Sequence, residues 1–333
     1  MNVRRLIPAT AVAGAVSLGL VTLSACAGTS GAADKKSDGK LSVVASFYPM
    51  QYLAEQIGGE HVSVDTLTKP GVEPHDLELK PRQIGELGEA DYILYLKGVQ
   101  PAVDEAITQA GVRHTVDAAT LTTLEKHGTG AGQEGHEGHD HGAGDTAHAD
   151  DHGHDHGSEA GTDPHIWLDP VKYAEVAKGV GASLQKADPD HAAAYAKNTD
   201  ALVKKLGALD TAFETGLKNA TTRTFITTHS AFGYLAERYG LEQEGITGVD
   251  PESEPSPARI KELQTVARKD KVSTVFFETL ASDKTAKTLA KDTGLKTDVL
   301  DPLEGITDAS RGDDYIEVMT SNLAALKKAL GAK

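Results

Sequence analysis

Four side chains in this sequence have the types and settings to hold a metal ion. His75 stands in KPGVEPHDLELKP (69–81), directly after a strand-like run, with Pro70, Pro74 and Pro81 around it. Prolines restrict the backbone, so such a turn presents its imidazole at a reduced ordering cost. His165 lies in DPHIWLDP (163–170), ahead of a helical pattern and two residues from Trp167, the only tryptophan. His229 follows the run RTFIT in THSAFGY (228–234, read with Thr227 before it), and Asp301 follows another strand-like run in VLDPL (299–303). Taken singly, each reads as a turn or capping residue. Together they are three imidazoles and one carboxylate, two from each half of the chain, at loops that follow strands or precede helices. Open α/β sheets bind ligands at such loops, and the four donors can close a tetrahedral site. Imidazole and carboxylate donors at about 2.0–2.2 Å suit Zn²⁺, whereas Mn²⁺ prefers more oxygen and higher coordination.

A second histidine-bearing region is of a different kind. Residues 127–162 hold eight His, eight acidic residues and ten Gly, with no Lys or Arg. The two densest runs, HEGHDH and DHGHDH, hold His136, His139, His141, His152, His154 and His156, and with His148 between them these form an auxiliary, multivalent set. Nothing here can build a core, and the composition predicts a disordered insertion. Neutral imidazole serves Zn, Cu and Ni alike, so this segment indicates a transition metal without choosing one. The other histidines, His61, His114 and His191, have no motif around them and read as structural or surface residues.

The elements that must position these donors follow from periodicity. Strands are expected at 41–47, 61–67, 91–96 and 112–116, with helices at 50–57, 83–89 and 102–110 between them. A helix over 171–186 follows the insertion. From 190 to 218 the sequence is rich in Ala, Leu and Lys and free of Pro; as one helix it would be about 43 Å long, the length of a spine joining two lobes. Asp188 is its expected N-cap. The second half alternates again, with strands at 223–227, 241–246, 272–277 and 297–300 and helices at 231–239, 257–269, 283–293 and 314–330. Alternation of this kind implies parallel pairing. The expected fold class is therefore α/β: two (β/α) lobes, each with a mainly parallel four-stranded sheet, joined by one long helix, with the metal site in the cleft between them.

The N-terminus does not belong to that fold. Arg4 and Arg5 precede an uncharged stretch reaching Ala33, which reads as a signal-peptide core, and Leu23-Ser24-Ala25-Cys26 resembles the lipobox of bacterial lipoproteins. Cys26 is the only cysteine, which leaves it for lipidation and excludes a disulfide framework. The expected organisation is a signal at 1–25, a flexible tether at 26–39, an N-terminal lobe at 40–187 carrying the insertion, a linker helix at 188–218 and a C-terminal lobe at 219–333. A net charge of −16 argues against nucleic acid as a partner. An enzyme reading, such as a three-His zinc hydrolase, needs an open coordination position and a base. Asp301 would close that position, and no HExxH or GxSxG motif is present.

PHDLELKP, DPHIWLDP, THSAFGYLAERYGL, PESEPSPARI, FFE and LDPL together resemble the zinc/manganese cluster of ABC-transporter substrate-binding lipoproteins. The resemblance runs over essentially the whole chain after the signal. It implies two lobes joined by a rigid helix, metal held between them by His75, His165, His229 and Asp301, and Zn²⁺ as transported cargo, with Mn²⁺ the less favoured alternative. It also implies an ABC permease and its ATPase subunit as partners, a monomer, and a lipid anchor on the extracytoplasmic face of the cell membrane. Glu73, Glu278 and Asp169 are the expected carboxylates behind the imidazoles. A metal buffer or adhesin without a transport role is the alternative within the same binding class.

Overall fold

The computed structural model describes residues 39–128 and 162–333. The signal, the tether with Cys26, and the seven auxiliary histidines from His136 to His156 lie outside the described residues. In chain order the first lobe comprises β1 (Leu41–Ala45), α1 (Tyr48–Gly58), β2 (Val62–Thr66), α2 (Pro81–Glu89), β3 (Tyr92–Tyr95), α3 (Pro101–Ala110), β4 (Thr115–Asp117) and α4 (Pro170–Ala187). The long helix α5 (Ala192–Leu217) leads into β5 (Thr224–Thr227), α6 (Gly233–Arg238), β6 (Glu242–Gly245) and α7 (Pro257–Lys269). Then come β7 (Thr274–Phe277), α8 (Lys284–Thr293), β8 (Lys296–Val299) and α9 (Tyr315–Leu330).

Both sheets are parallel, and both follow one plan: β2-β1-β3-β4 and β6-β5-β7-β8. In each, the first strand of the half is central and the chain departs from it in both directions. The strand order therefore reverses beside β1 and beside β5, and crevices open there at the carboxyl ends of the strands. Apolar β-branched runs such as Val43-Val44 are buried on both faces, as helix-covered parallel strands require. The expected (β/α) lobes are thus present, with element ends within a few residues of the expected ones.

Helix α5 is shorter at its start than expected, because residues Pro189–His191 form a separate 3₁₀ turn. Asp188 does not cap α5; its carboxylate accepts from His191 Nδ1 and the Tyr195 hydroxyl, each at 2.7 Å. His191 in turn stacks on His61 with ring centroids 4.0 Å apart. The α5 residues Tyr195, Leu202, Leu206, Leu209, Phe213 and Leu217 are buried in one apolar cluster that also takes in α1, α4 and α9. One core thereby runs through both lobes, and α5 is the strut inside it.

Direct bonds tie the lobes further. Trp167 Nε1 donates to the Pro302 carbonyl at 2.7 Å, and the Tyr315 hydroxyl donates to the Trp167 carbonyl at 2.6 Å. Arg238 of α6 forms a forked pair with Asp169, whose Oδ1 also caps α4 through the Val171 N–H. Both partners sit at helix termini that face each other, so this pair fixes the mutual orientation of α4 and α6. Such packing leaves little room for hinge motion between the sheets.

Candidate metal centre

The ligand-capable atoms of His75, His165, His229 and Glu304 all lie within 4.8 Å of one another. Glu304 Oε1 is the focus, 3.3 Å from His75 Nε2, 3.4 Å from His165 Nε2 and 3.3 Å from His229 Nε2. The three rings are tilted to one another, with centroids 5.4–6.2 Å apart, so their Nε2 atoms converge instead of stacking. His165, His229 and Glu304 are fully or almost fully buried, while the His75 side chain is 10% exposed and forms the outer wall.

Each donor is placed by a loop with its own internal logic. The loop carrying His75 is anchored at its base, where the Thr68 hydroxyl donates to the Ser46 carbonyl and Gln100 Nε2 donates to Thr68 Oγ1. His165 precedes the 3₁₀ turn Ile166–Leu168, pinned by buried Trp167, which packs edge-on against Phe47 at 5.0 Å. His229 sits two residues beyond β5, and its carbonyl accepts from the Thr227 hydroxyl and Gln243 Nε2. It thus stands at the crevice beside β5, with Glu278 opposite, immediately after β7.

The carboxylates behind the rings set their tautomers. His165 Nδ1 donates to Asp163 Oδ1 at 2.7 Å, and the same oxygen accepts from the His165 backbone N–H. His229 Nδ1 donates to Glu278 Oε1 at 2.9 Å, an oxygen that also accepts from the Thr228 hydroxyl. An ionised carboxylate only accepts, so Nδ1 carries a proton in both rings, and Nε2 is the nitrogen that faces the cleft and offers a lone pair once its own proton is displaced. Carboxylate–histidine–metal arrangements use this geometry. Of the three carboxylates expected in this role, Glu278 fills it. Glu73 instead accepts from the Asp76 N–H at 3.2 Å beside His75, and Asp169 is committed to Arg238 and the α4 cap. Asp163, which lies in the same DPHIWLDP motif, does the work for His165.

Electrostatics concentrate charge at this point. Burial alone pushes the His229 imidazole down, but Glu278 and Glu304 outweigh it and hold it well above the usual histidine range. Burial likewise disfavours charge on His165, and Asp163 reverses the balance and raises it. Glu304 shows the mirror effect: burial pushes it up, yet the three imidazoles hold it well below the usual carboxylate range. His165 Nε2, His229 Nε2 and Glu304 Oε2 are nevertheless buried without a hydrogen-bond partner. Unpartnered buried polar atoms are rare and costly, and a dication held between the imidazoles and Glu304 would satisfy both nitrogens.

Asp301 does not join the cluster. Its Oδ1 accepts from the Leu303 N–H at 2.8 Å, and its Oδ2 accepts from the Thr279 and Ser310 hydroxyls at 3.1 and 3.0 Å. The Asp301 backbone is further clasped by the Asn322 amide on α9. Both carboxylate oxygens are thus consumed, by the turn after β8 and by Thr279 just beyond β7. That turn includes Leu303, fully buried and at φ +59°, a left-handed conformation uncommon for a residue with a Cβ. The reversal sends the next residue, Glu304, into the cleft. A signal for this was present: Asp-Pro opens turns, and the Asp of such a turn bonds to its own backbone two residues on. The free carboxylate is therefore the one beyond the turn.

Sequence also missed the place of His127. Assigned to the insertion, it is part of the fold: its Nδ1 meets Asp163 Oδ2 and its Nε2 meets Glu237 Oε2, each at 2.9 Å.

Two parallel α/β sheets on a common strut, with a three-imidazole, one-carboxylate set in the crevice between them, define a two-lobed protein of the solute-binding type. Residues 43–329 match the ZnuA family, described as zinc-uptake complex component A, periplasmic, and the chain belongs to that family. It is 37% identical over 330 residues to the high-affinity zinc uptake system protein ZnuA of Bacillus subtilis, covering 95% of this chain and 98% of that protein. It is 36% identical over 320 residues to the zinc-binding lipoprotein AdcA of Streptococcus pneumoniae. That match covers 94% of this chain, which spans 60% of AdcA's length. The crystal structure of the Zn(II)-bound ZnuA-like domain of that AdcA superposes with a TM-score of 0.69 at 33% identity, covering 88% of this chain and 99% of the domain.

Proposed function

We propose that this chain is an extracytoplasmic zinc-binding protein that captures Zn²⁺ through His75, His165, His229 and Glu304 and delivers it to an ABC permease and its ATPase subunit. The observation that carries this reading is the convergence of three imidazole Nε2 atoms on one buried carboxylate oxygen at 3.3–3.4 Å. Three neutral nitrogens and one charged oxygen suit Zn²⁺ in tetrahedral geometry and leave Mn²⁺ short of oxygen donors. Kinship with a zinc uptake protein and with a zinc-bound domain supports the same cargo. Four protein donors would close the coordination sphere, which suits holding and release, not catalysis.

In this reading His75 is the gate-side ligand. It is the least buried of the four and lies on the proline-rich loop between β2 and α2, whereas the other three are locked into the common core. Zinc enters and leaves past His75, and its binding ties that loop to the cleft, giving a permease a loaded surface to recognise without wide lobe closure. Lipidation at Cys26 holds the protein at the outer face of the membrane. Among the described residues no helix is long and apolar enough to cross a membrane.

The test is metal competition followed by uptake. Purified protein offered equal Zn²⁺ and Mn²⁺ should retain zinc, and His75→Ala should release zinc faster. A strain lacking the protein should lose high-affinity zinc uptake and regain it with the wild-type gene but not with Glu304→Gln. Undiminished zinc affinity in the Glu304→Gln protein would refute the ligand set.

A further inference from the structure

A second group of potential ligands gathers around His127, 36 residues before Asp163 in the chain and close to Glu237 of α6. The ligand-capable atoms of Glu125, His127 and Glu237 lie within 4.8 Å of one another. They line an open pocket of about 440 Å³ beside α6. We propose that Glu125, His127 and Glu237 form a second site for a borderline divalent cation of the Zn²⁺ class, joined to the cleft site through Asp163.

The arrangement is built, not incidental. Asp163 is fully buried and uses its two oxygens on two different imidazoles: Oδ1 on His165 Nδ1 at 2.7 Å and Oδ2 on His127 Nδ1 at 2.9 Å. By the same reasoning as in the cleft, Nδ1 of His127 carries a proton and Nε2 is aimed outward, at Glu237 Oε2. One carboxylate therefore puts two imidazoles into the Nε2-presenting tautomer, one facing the cleft and one facing the pocket. His127 Nε2 and Glu237 Oε2 face each other at 2.9 Å, and a dication taking the place of the Nε2 proton would bridge the two with Glu125 alongside. Gly233 makes room for this: a Cβ there would fall 2.4 Å from the His127 ring and 2.8 Å from Asp163 Oδ2. The loop is also held from the backbone, where the Tyr234 hydroxyl donates to the Asp163 carbonyl and accepts from the Glu125 N–H.

The donor set predicts the character of the site. Lys172 Nζ holds Glu125 Oε1 at 2.6 Å, which weakens that carboxylate as a ligand. Glu237 is largely exposed and His127 partly so. One imidazole and two carboxylates, open to water, give a weaker and faster-exchanging site than three imidazoles in a buried crevice. The proposal shares with the preceding section only the premise that the protein handles transition-metal cargo; it does not need the cleft ligands to be correct.

Its test uses the full chain with the seven histidines between 136 and 156 each replaced by Asn, so that only the folded sites remain. Zinc titration of this protein against a chromophoric chelator at pH 7.5 should give two ions per chain, one at least about 10-fold weaker than the other. His127→Gln should remove the weaker ion and leave the tighter one. Glu237→Gln, an exposed change that does not threaten folding, should weaken the same ion by at least about 10-fold, since losing a direct ligand should cost no less than the 10–100-fold lost with an outer-shell partner. Anomalous scattering at the zinc edge should place that ion against His127 Nε2. One ion per chain, unaltered by either substitution, would overturn the proposal, as would a second ion located elsewhere. His75→Ala in the same background reads the cleft separately: if it leaves the tighter ion in place, the cleft assignment fails while the second site stands or falls on His127.

Discussion

The cleft and the His127 pocket gather the same donor types in different surroundings, and they share a carboxylate. In the cleft, three imidazoles and Glu304 are buried or nearly so, their tautomers set by Asp163 and Glu278. In the pocket, one imidazole and two carboxylates face solvent, and a lysine already competes for one of them. The same Asp163 orients a ring in each. What separates them is burial and how many donors the core holds still. Electrostatic and coordination interactions are stronger where water is excluded, and a ligand whose rotamer is locked by packing need not be ordered on binding. If both sites bind metal as proposed, specific capture belongs to the cleft and rapid exchange to the pocket.

The largest test of this contrast is His229→Ala, which should cost the cleft more than about 100-fold in zinc affinity, beyond the 10–100-fold typical for outer-shell partners, as measured by chelator competition. Asp163→Asn should come next. It should weaken the cleft by about 10–100-fold and the pocket in the same protein, whereas Glu278→Gln should weaken the cleft alone. If Asp163→Asn left the pocket ion untouched, the shared-carboxylate link would be broken.

A pH series separates the two sites further. Because His165 and His229 are raised in the metal-free fold, zinc must displace their protons. Cleft affinity should therefore fall as pH drops through the raised values, starting above the ordinary value of about 6.5. With two protons displaced, the loss approaches about 100-fold per pH unit. The sign for folding is opposite. A raised histidine stabilises the metal-free protein fully below about 6.5 and loses that contribution as pH climbs through the folded-state value. Thermal melts with and without zinc should diverge as pH rises. The smallest effect is expected for Asp301→Asn: about 1–2 kcal/mol of stability through the weakened turn bonds, visible in denaturant unfolding, and less than about 10-fold in zinc affinity. A collapse of affinity there on the scale of Glu304→Gln would restore Asp301 as a ligand.

Much of this was legible in the amino-acid order. The helix over residues 257–269 and the long Ala- and Leu-rich spine announce themselves because local periodicity is enough to define them. The three histidines stood out because each is flanked by turn-forming prolines or sits just past a strand. Asp301 was selected by the same logic, and there the logic misled. Position along the chain locates a loop, but the direction in which a side chain leaves it depends on the turn. Leu303 at positive φ, and the bonds that Thr279, Ser310 and Asn322 make to Asp301, come from elements up to 22 residues away.

The sequence by itself determined the class of chemistry, the number of lobes and the loops that carry the donors. Residue type and spacing encode all three without reference to distant partners. Tertiary structure decided which carboxylate faces the cleft, which acid orients which ring, and that His127 belongs to the fold and not to the insertion. Those outcomes depend on contacts across separations such as His127–Glu237, 110 residues apart, and His75–Glu304, 229 apart. A chain brings such groups together only after its core has packed, and the preference of a single residue for its neighbours carries no record of them.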